Sequence, residues 1–271
     1  MKAIEAKLIK LDKILGEMQG LVVAFSGGVD STLLLKKACD VLGKNVIAVT
    51  AQSPAFPRAE LKSAKELARS LGVRHQLIRS DELSIPEFVS NPPNRCYYCK
   101  KDLFTKLLEI ARKRKIPWVA DGSNSDDAQD FRPGTLAVKE LGIRRPLMEA
   151  RLGKKEIRIL SRNMGLPTGD KPSAACLSSR LPYGETITAG KLKRVGRAEE
   201  FLLKLGFTQV RVRHHNSMAR IEVLPAEMGR FMERGMQTRV TRELRSLGYQ
   251  YVTLDLQGYR MGSMNEVINE S

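Results

Sequence analysis

Ser26-Gly27-Gly28-Val29-Asp30-Ser31 stands between two apolar runs, Leu21-Val22-Val23-Ala24-Phe25 before it and Thr32-Leu33-Leu34-Leu35 after it. The order reads as a strand, a glycine turn and the start of a helix. Adjacent glycines allow backbone angles closed to other residues and let the chain come close to a ligand. The helix that follows aims unpaired N–H groups and the positive end of its dipole into the turn, which suits phosphate. Asp30 stands where a carboxylate can hold a magnesium ion on bound phosphates. The GxxxxGKS/T spacing of a Walker loop and its lysine are absent. A plain tight turn is the bland reading of a glycine pair, but the six-residue string in this setting favours nucleotide binding.

Outward from this turn, apolar strands alternate with helical patterns. An amphipathic helix precedes it, with Ile4, Leu8, Leu11, Leu15 and Met18 at helical spacing. Val46 to Thr50 and Val73 to Ile78 read as strands, with a helix over Ala59 to Leu71 between them. Lys100 to Lys113 reads as a helix, and Pro117 to Ala120 as a strand that ends in the polar loop from Asp121 to Asp127. The alternation predicts an α/β fold with a doubly wound parallel sheet, whose ligands sit at the carboxyl ends of the strands. Lys154 to Met164 is a further helix, followed by an irregular stretch over Thr168 to Gly190. Beyond it the pattern changes to a helix over Lys191 to Leu205, strands at Gln209 to Arg213 and Arg220 to Leu224, a long helix over Ala226 to Leu247 and a strand at Tyr249 to Leu254. We expect a nucleotide-binding domain over 1–185 and a smaller α/β domain over 186–271.

At 271 residues the chain is long enough for two such domains. No apolar run approaches the roughly 18 residues of a membrane span, and the amphipathic start is not a signal peptide, so a cytoplasmic protein is expected. The net charge of +16 favours an anionic partner, either nucleotides or nucleic acid. Four cysteines in a cytoplasmic chain argue against a disulfide framework. Cys96 and Cys99 form a CxxC that puts two thiols on one turn, and Cys176 lies far downstream. Three thiolates could hold an iron–sulfur cluster and leave one iron open, since such clusters ordinarily take four cysteines. Zinc, which wants four ligands, and a redox pair are the alternatives. Cys39, among leucines, reads as a small buried hydrophobe.

The Ser26–Ser31 string resembles the PP-loop of the ATP pyrophosphatases, which have an adenine nucleotide α-hydrolase-like fold and cleave ATP between the α- and β-phosphates. Three further stretches sharpen the likeness: Lys171-Pro172-Ser173-Ala174-Ala175-Cys176-Leu177-Ser178-Ser179-Arg180 with Pro182-Tyr183-Gly184, Asp130-Phe131-Arg132-Pro133-Gly134 with Arg145-Pro146-Leu147, and Gly258 to Glu266. With them nearly the whole chain resembles the LarE-type ATP-dependent sulfur transferases. The resemblance implies ATP and Mg2+ at Ser26, Gly27, Gly28, Asp30 and Ser31, with Ser179 and Arg180 near the phosphates. It implies a pyridinium biscarboxylate mononucleotide as the small-molecule substrate, met by Glu199, Arg211 and Arg213, in nickel-pincer nucleotide synthesis. Arg211 and Arg213 alternate along one predicted strand and share a face, and arginine suits bidentate binding of phosphate or carboxylate. A solvated basic strand face is the alternative for that pair.

Single-cysteine members of the family give up the sulfur of the residue matching Cys176. The added Cys96 and Cys99 resemble the subgroup with a 4Fe–4S cluster, in which the open iron carries a transferable sulfide supplied by sulfide or a sulfur-donor system. A homo-oligomer is implied as well. Asp126 and Asp127 are candidates for magnesium or for capping their loop. An iron–sulfur-dependent tRNA thiolase is the main rival, since it would share the loop and the cysteines. No added RNA-binding module is visible in the sequence, which makes nucleic acid the less favoured partner. A synthetase using ammonia lacks a visible glutaminase domain, and a nucleotide-sensing module would leave the Cys176 segment as a mere linker.

Overall fold

The computed structural model describes residues 2–128, 133–172 and 175–260. The chain divides into two compact units, Met1–Phe88 with Pro93–Ala174, and Val89–Pro92 with Ala175–Ser271.

The first unit is built on strands β1 (Leu21–Ala24), β2 (Val46–Gln52), β3 (Arg74–Arg79) and β4 (Trp118–Ala120). They pair in the order β3-β2-β1-β4, and every pair is parallel. The helices that accompany them are α1 (Lys2–Gly16), α2 (Val29–Leu42), α3 (Arg58–Ser70), α4 (Pro86–Val89), α5 (Arg95–Lys113), α6 (Gly134–Glu140), α7 (Pro146–Glu149) and α8 (Lys154–Asn163). The central strands read as continuous apolar runs because both of their faces are covered. Leu21 and Val23 of β1, with Val46 and Ala48 of β2, pack among Leu11, Leu15, Leu33, Ala64 and Ile157, side chains of α1, α2, α3 and α8. Val22, Ile47 and Val49 point the other way, to Phe104, Leu107 and Ala111 of α5 and Val138 of α6. Strand alternation thus divides one run of sequence between two cores, which is the doubly wound architecture expected.

From β1 the chain moves outward to β2 and β3, then returns to place β4 on the opposite side of β1. The order therefore reverses between β1 and β4, the point at which open α/β sheets take their ligands. The loop after Ala24 and the loop after Ala120 flank that point.

The second unit carries α9 (Ala189–Lys204), β5 (Val210–His215), β6 (Met218–Val223), α10 (Met236–Ser246) and β7 (Tyr251–Leu254). β5 and β6 form an antiparallel hairpin, and β7 adds parallel to β6 after the α10 crossover. Val210, Val212, Ala219, Ile221 and Val223 face Ala198, Leu202, Val240 and Leu244 of the two helices. The long helix expected over Ala226 to Leu247 is instead a 3-10 stretch, Pro225–Met232, followed by α10. Gly235 separates them at φ +80°, a left-handed angle that ends helical propagation. Helix α5 begins at Arg95 rather than Lys100, so the CxxC lies inside its first turns. Among the described residues no helix is long and apolar enough to cross a membrane.

Leu34 of α2 is fully buried in the first core. Leu34→Ala should lower stability by about 2–5 kcal/mol, read as a shifted urea midpoint of the first unit. A loss below about 1 kcal/mol would contradict this packing.

Candidate functional site

In the first unit the loop from Ser26 to Ser31 is held from several sides. Gly27 takes φ +71°, and a Cβ there would lie 3.1 Å from both Cα and Cβ of Ala64 on α3. The loop closes on its own hydroxyls: Gly28 N donates to Ser26 Oγ at 3.3 Å, Ser26 Oγ and Ser31 Oγ are 3.1 Å apart, and Ser31 Oγ donates to Gly28 O at 3.2 Å. Just before the loop, Thr50 Oγ1 donates to Phe25 O at 2.6 Å. With that proton committed, the hydroxyl oxygen accepts from His75 Nε2 at 2.8 Å. Burial lowers the His75 pKa from its ordinary value, with Lys65 adding to the effect.

Asp30 lies in the first turn of α2, and both of its carboxylate oxygens are engaged. Lys154 Nζ stands 2.5 Å from Oδ2, and Asn124 Nδ2 donates to Oδ1 at 3.3 Å. The loop after β4 crowds the same turn, since a Cβ on Gly122 would lie 2.9 Å from Ser31 N. Asp127 Oδ2 accepts from Asn124 N at 2.9 Å and Asp126 Oδ2 from Lys154 N at 2.8 Å, so both carboxylates cap backbone. Lys171, within the stretch that leads to Cys176, donates to Gly27 O at 3.0 Å, to Glu60 at 2.7 Å and to Ser63 Oγ at 3.3 Å.

In the second unit Cys176 precedes a 3-10 turn, Leu177–Arg180. Its Sγ lies 2.8 Å from Ser178 Oγ, and Ser179 Oγ donates to its carbonyl at 2.8 Å. Arg180 is buried and grips Glu199 with two bonds of 2.7 and 3.0 Å, while Nη1 reaches Cys176 O at 3.2 Å. Glu199 also accepts from Val212 N at 2.9 Å, which ties α9 to β5. Arg213 forms a bidentate pair with Glu222, both bonds 2.8 Å, and donates to Ser179 O at 2.9 Å. Arg211 shares that face of β5, and its guanidinium lies 5.2 Å from the centre of the Tyr259 ring. Burial, with Arg180 nearby, lowers the Arg211 pKa. The two arginines are thus buried, not a solvated strand face.

None of the four cysteines forms a disulfide. Cys96 and Cys99 fall one helical turn apart at the N-terminus of α5. Cys96 is exposed and Cys99 half-buried, so this pair fits two ligand positions of a metal centre. Cys176 is exposed in the second unit. Among the described residues no group of three or more His, Cys, Asp or Glu side chains stands ready to hold a metal ion. Burial, with Asp40 beside it, pushes the Cys39 thiol up to about 11, which keeps it protonated and inert. Of the stretch from Asp130 to Gly134, residues 130–132 lie outside the described residues, as do 129, 173–174 and 261–271.

Sequence reasoning did not single out Asn124, Lys154 or Lys171. Two lysines opening a helix at Lys154-Lys155, against its dipole, were the available signal.

The chain matches the family model described as NAD synthase over residues 6–94, which includes the glycine loop. An uncharacterized protein of Synechocystis sp. is 45% identical over 98% of this chain and 100% of its own length. The pyridinium-3,5-bisthiocarboxylic acid mononucleotide synthase of Lactiplantibacillus plantarum is 42% identical over 100% of this chain and 98% of its own length. A tRNA-specific 2-thiouridylase of Leptospira biflexa is 27% identical over 58% of this chain and 52% of its own length.

Arg180→Ala leaves Glu199 as a buried carboxylate without its main counter-ion. The second unit should lose about 3–5 kcal/mol, seen as an earlier urea transition by circular dichroism. An unchanged midpoint would show that the pair is not structural.

Proposed function

The chain belongs to the LarE-type ATP-dependent sulfur transferases of the PP-loop superfamily, and on that premise we propose that it adenylates a carboxylate of a pyridinium biscarboxylate mononucleotide and exchanges oxygen for sulfur. Agreement over the full length with a synthase of the bisthiocarboxylic acid mononucleotide carries the reading. The nickel-pincer nucleotide is the end product we assign to the route.

A carboxylate is a poor electrophile. Its attack on the α-phosphorus of ATP turns one oxygen into part of an AMP leaving group and releases pyrophosphate. The N–H groups of the Ser26–Ser31 loop and the first turn of α2 would stabilise charge on the phosphates. Asp30 would hold Mg2+, which supplies Lewis acidity at the same oxygens. A sulfur nucleophile then displaces AMP from the acyl-adenylate. Cys96, Cys99 and Cys176 would together hold a 4Fe–4S cluster, which when bound keeps a sulfide nucleophilic at neutral pH. Ser179 and Arg180 are assigned to phosphate, and Glu199, Arg211 and Arg213 to the substrate. Since Arg180 holds both Glu199 and the Cys176 carbonyl, we assign it a positioning role as well.

The tRNA thiolase reading draws on the 2-thiouridylase match, which reaches about half of that protein's length. The full-length match supports the small-molecule substrate over RNA. Sulfide or a sulfur-donor system as partner and a homo-oligomeric assembly complete the proposal.

Asp30→Ala should abolish substrate-dependent pyrophosphate release while circular dichroism stays unchanged. Normal release by that variant would remove Asp30 from the adenylation step. Alanine at Cys96, Cys99 or Cys176 should each remove the broad visible absorption of anaerobically purified protein, and Cys39→Ala should preserve it. Iron-free protein that turns over with loss of the Cys176 sulfur, detected by mass spectrometry, would replace the cluster with a sacrificial cysteine.

A further inference from the structure

Lys154 opens α8, where the helix dipole disfavours a cation. Its placement is nevertheless enforced. Its backbone N–H donates to Asp126 Oδ2 at 2.8 Å. A Cβ on Gly153 would lie 2.9 Å from Asp126 Oδ1, so a side chain there would displace that carboxylate. Gly153 N donates to Glu156 Oε2 at 2.9 Å, and Glu156 is held in turn by Lys7 at 2.7 Å. The first turn of α8 is therefore fixed, and its lysine ammonium is delivered 2.5 Å from Asp30 Oδ2.

Stability does not account for this construction. The Lys154 side chain keeps 33% of its exposure, and partly solvated pairs contribute little. Lys171 makes an instructive contrast. Its ammonium is spent on a carbonyl, a carboxylate and a hydroxyl, a structural clamp with all three donors in use. Among the described residues the Lys154 ammonium meets Asp30 alone, so two of its three donors remain for another acceptor. An acceptor for them would stand beside the first turn of α2, where phosphate is expected.

From this geometry we infer that Lys154 is a catalytic cation of the adenylation step, donating to the β- or γ-phosphate oxygens of ATP and to the departing pyrophosphate. The inference rests on the adenylation reading above. In that step the substrate carboxylate oxygen bonds to the α-phosphorus, and the bond from the α-phosphorus to the bridging oxygen breaks. The electron pair leaves on pyrophosphate, and no proton or redox partner is needed. Negative charge grows on the leaving group in the transition state, so a cation beside it lowers the barrier more than it tightens ground-state binding.

The test is ATP–pyrophosphate exchange by the full chain with the pyridinium biscarboxylate mononucleotide, comparing wild type, Lys154→Met, Lys154→Gln and Lys154→Arg. Both neutral variants should raise the pyrophosphate concentration for half-maximal exchange at least tenfold and lower the maximal rate more than the apparent ATP affinity. AMP binding should stay within twofold, because AMP lacks the phosphates that Lys154 contacts. Lys154→Arg should recover most of the rate. A purely structural lysine would instead weaken AMP and pyrophosphate alike and lower the melting temperature. If wild type exchanges and either folded neutral variant retains wild-type pyrophosphate dependence, this inference alone falls. If wild type shows no substrate-dependent exchange, the adenylation reading falls and takes this inference with it.

Discussion

At Gly27 the backbone turns through φ +71° in a space where even a methyl group would stand 3.1 Å from Ala64. The turn has to be made there, because β1 must end and α2 must begin with its N–H groups facing the loop. Three contacts from separate parts of the sequence hold it: α3 packs beneath, Lys171 grips the Gly27 carbonyl, and Thr50 grips the carbonyl of Phe25. β1 lies inside the sheet and is paired on both sides. A shift in the turn would therefore disturb two ladders and both cores. The loop is rigid for the same reason that the sheet is stable, and preorganised donors are what electrostatic stabilisation of a phosphate requires.

The second unit uses buried charge in a different way. Arg180–Glu199 and Arg213–Glu222 are both bidentate and largely sealed from water. Desolvation offsets most of the attraction in such pairs, so their effect lies more in selecting one arrangement than in adding stability. Glu199 receives Arg180 and the Val212 amide together, which fixes the Cys176 turn, α9 and β5 in one register. The residues that the family resemblance marks as binding groups thus also hold the unit in shape. A variant at any of them disturbs the unit itself, so a test of the proposed roles reads stability beside activity.

The first unit was legible because its signals are local. A run of apolar residues, a glycine pair and a helix start lie within one short stretch, and periodicity identified the strands on either side. The second sheet was also legible, but its long helix was not. Pro225 and Gly235 interrupt an apolar pattern that otherwise reads as continuous, and the conformation of Gly235 governs the break. Lys171 and Asn124 were invisible for a physical reason: each acts through a partner more than ninety positions away, and nothing local marks such a contact. Asp126 and Asp127 went the other way. As sequence they were ambiguous between metal and cap, and the structure has them capping backbone amides.

The charge of +16 is distributed with similar economy. Around the loop each lysine faces a carboxylate: Lys154 on Asp30, Lys171 on Glu60 and Lys100 on Asp121. Anions and cations alternate there, so phosphate binding depends on placed donors more than on raw positive potential. On the arginine-bearing face of β5 the balance differs. Glu199 and Glu222 answer Arg180 and Arg213, while burial first, then Arg180 and Arg213, lower the Arg211 pKa against the opposing effect of Glu199. Arg211 donates to the Val210 carbonyl at 2.7 Å and lies over the Tyr259 ring, so backbone and aromatic contacts hold a guanidinium that burial disfavours.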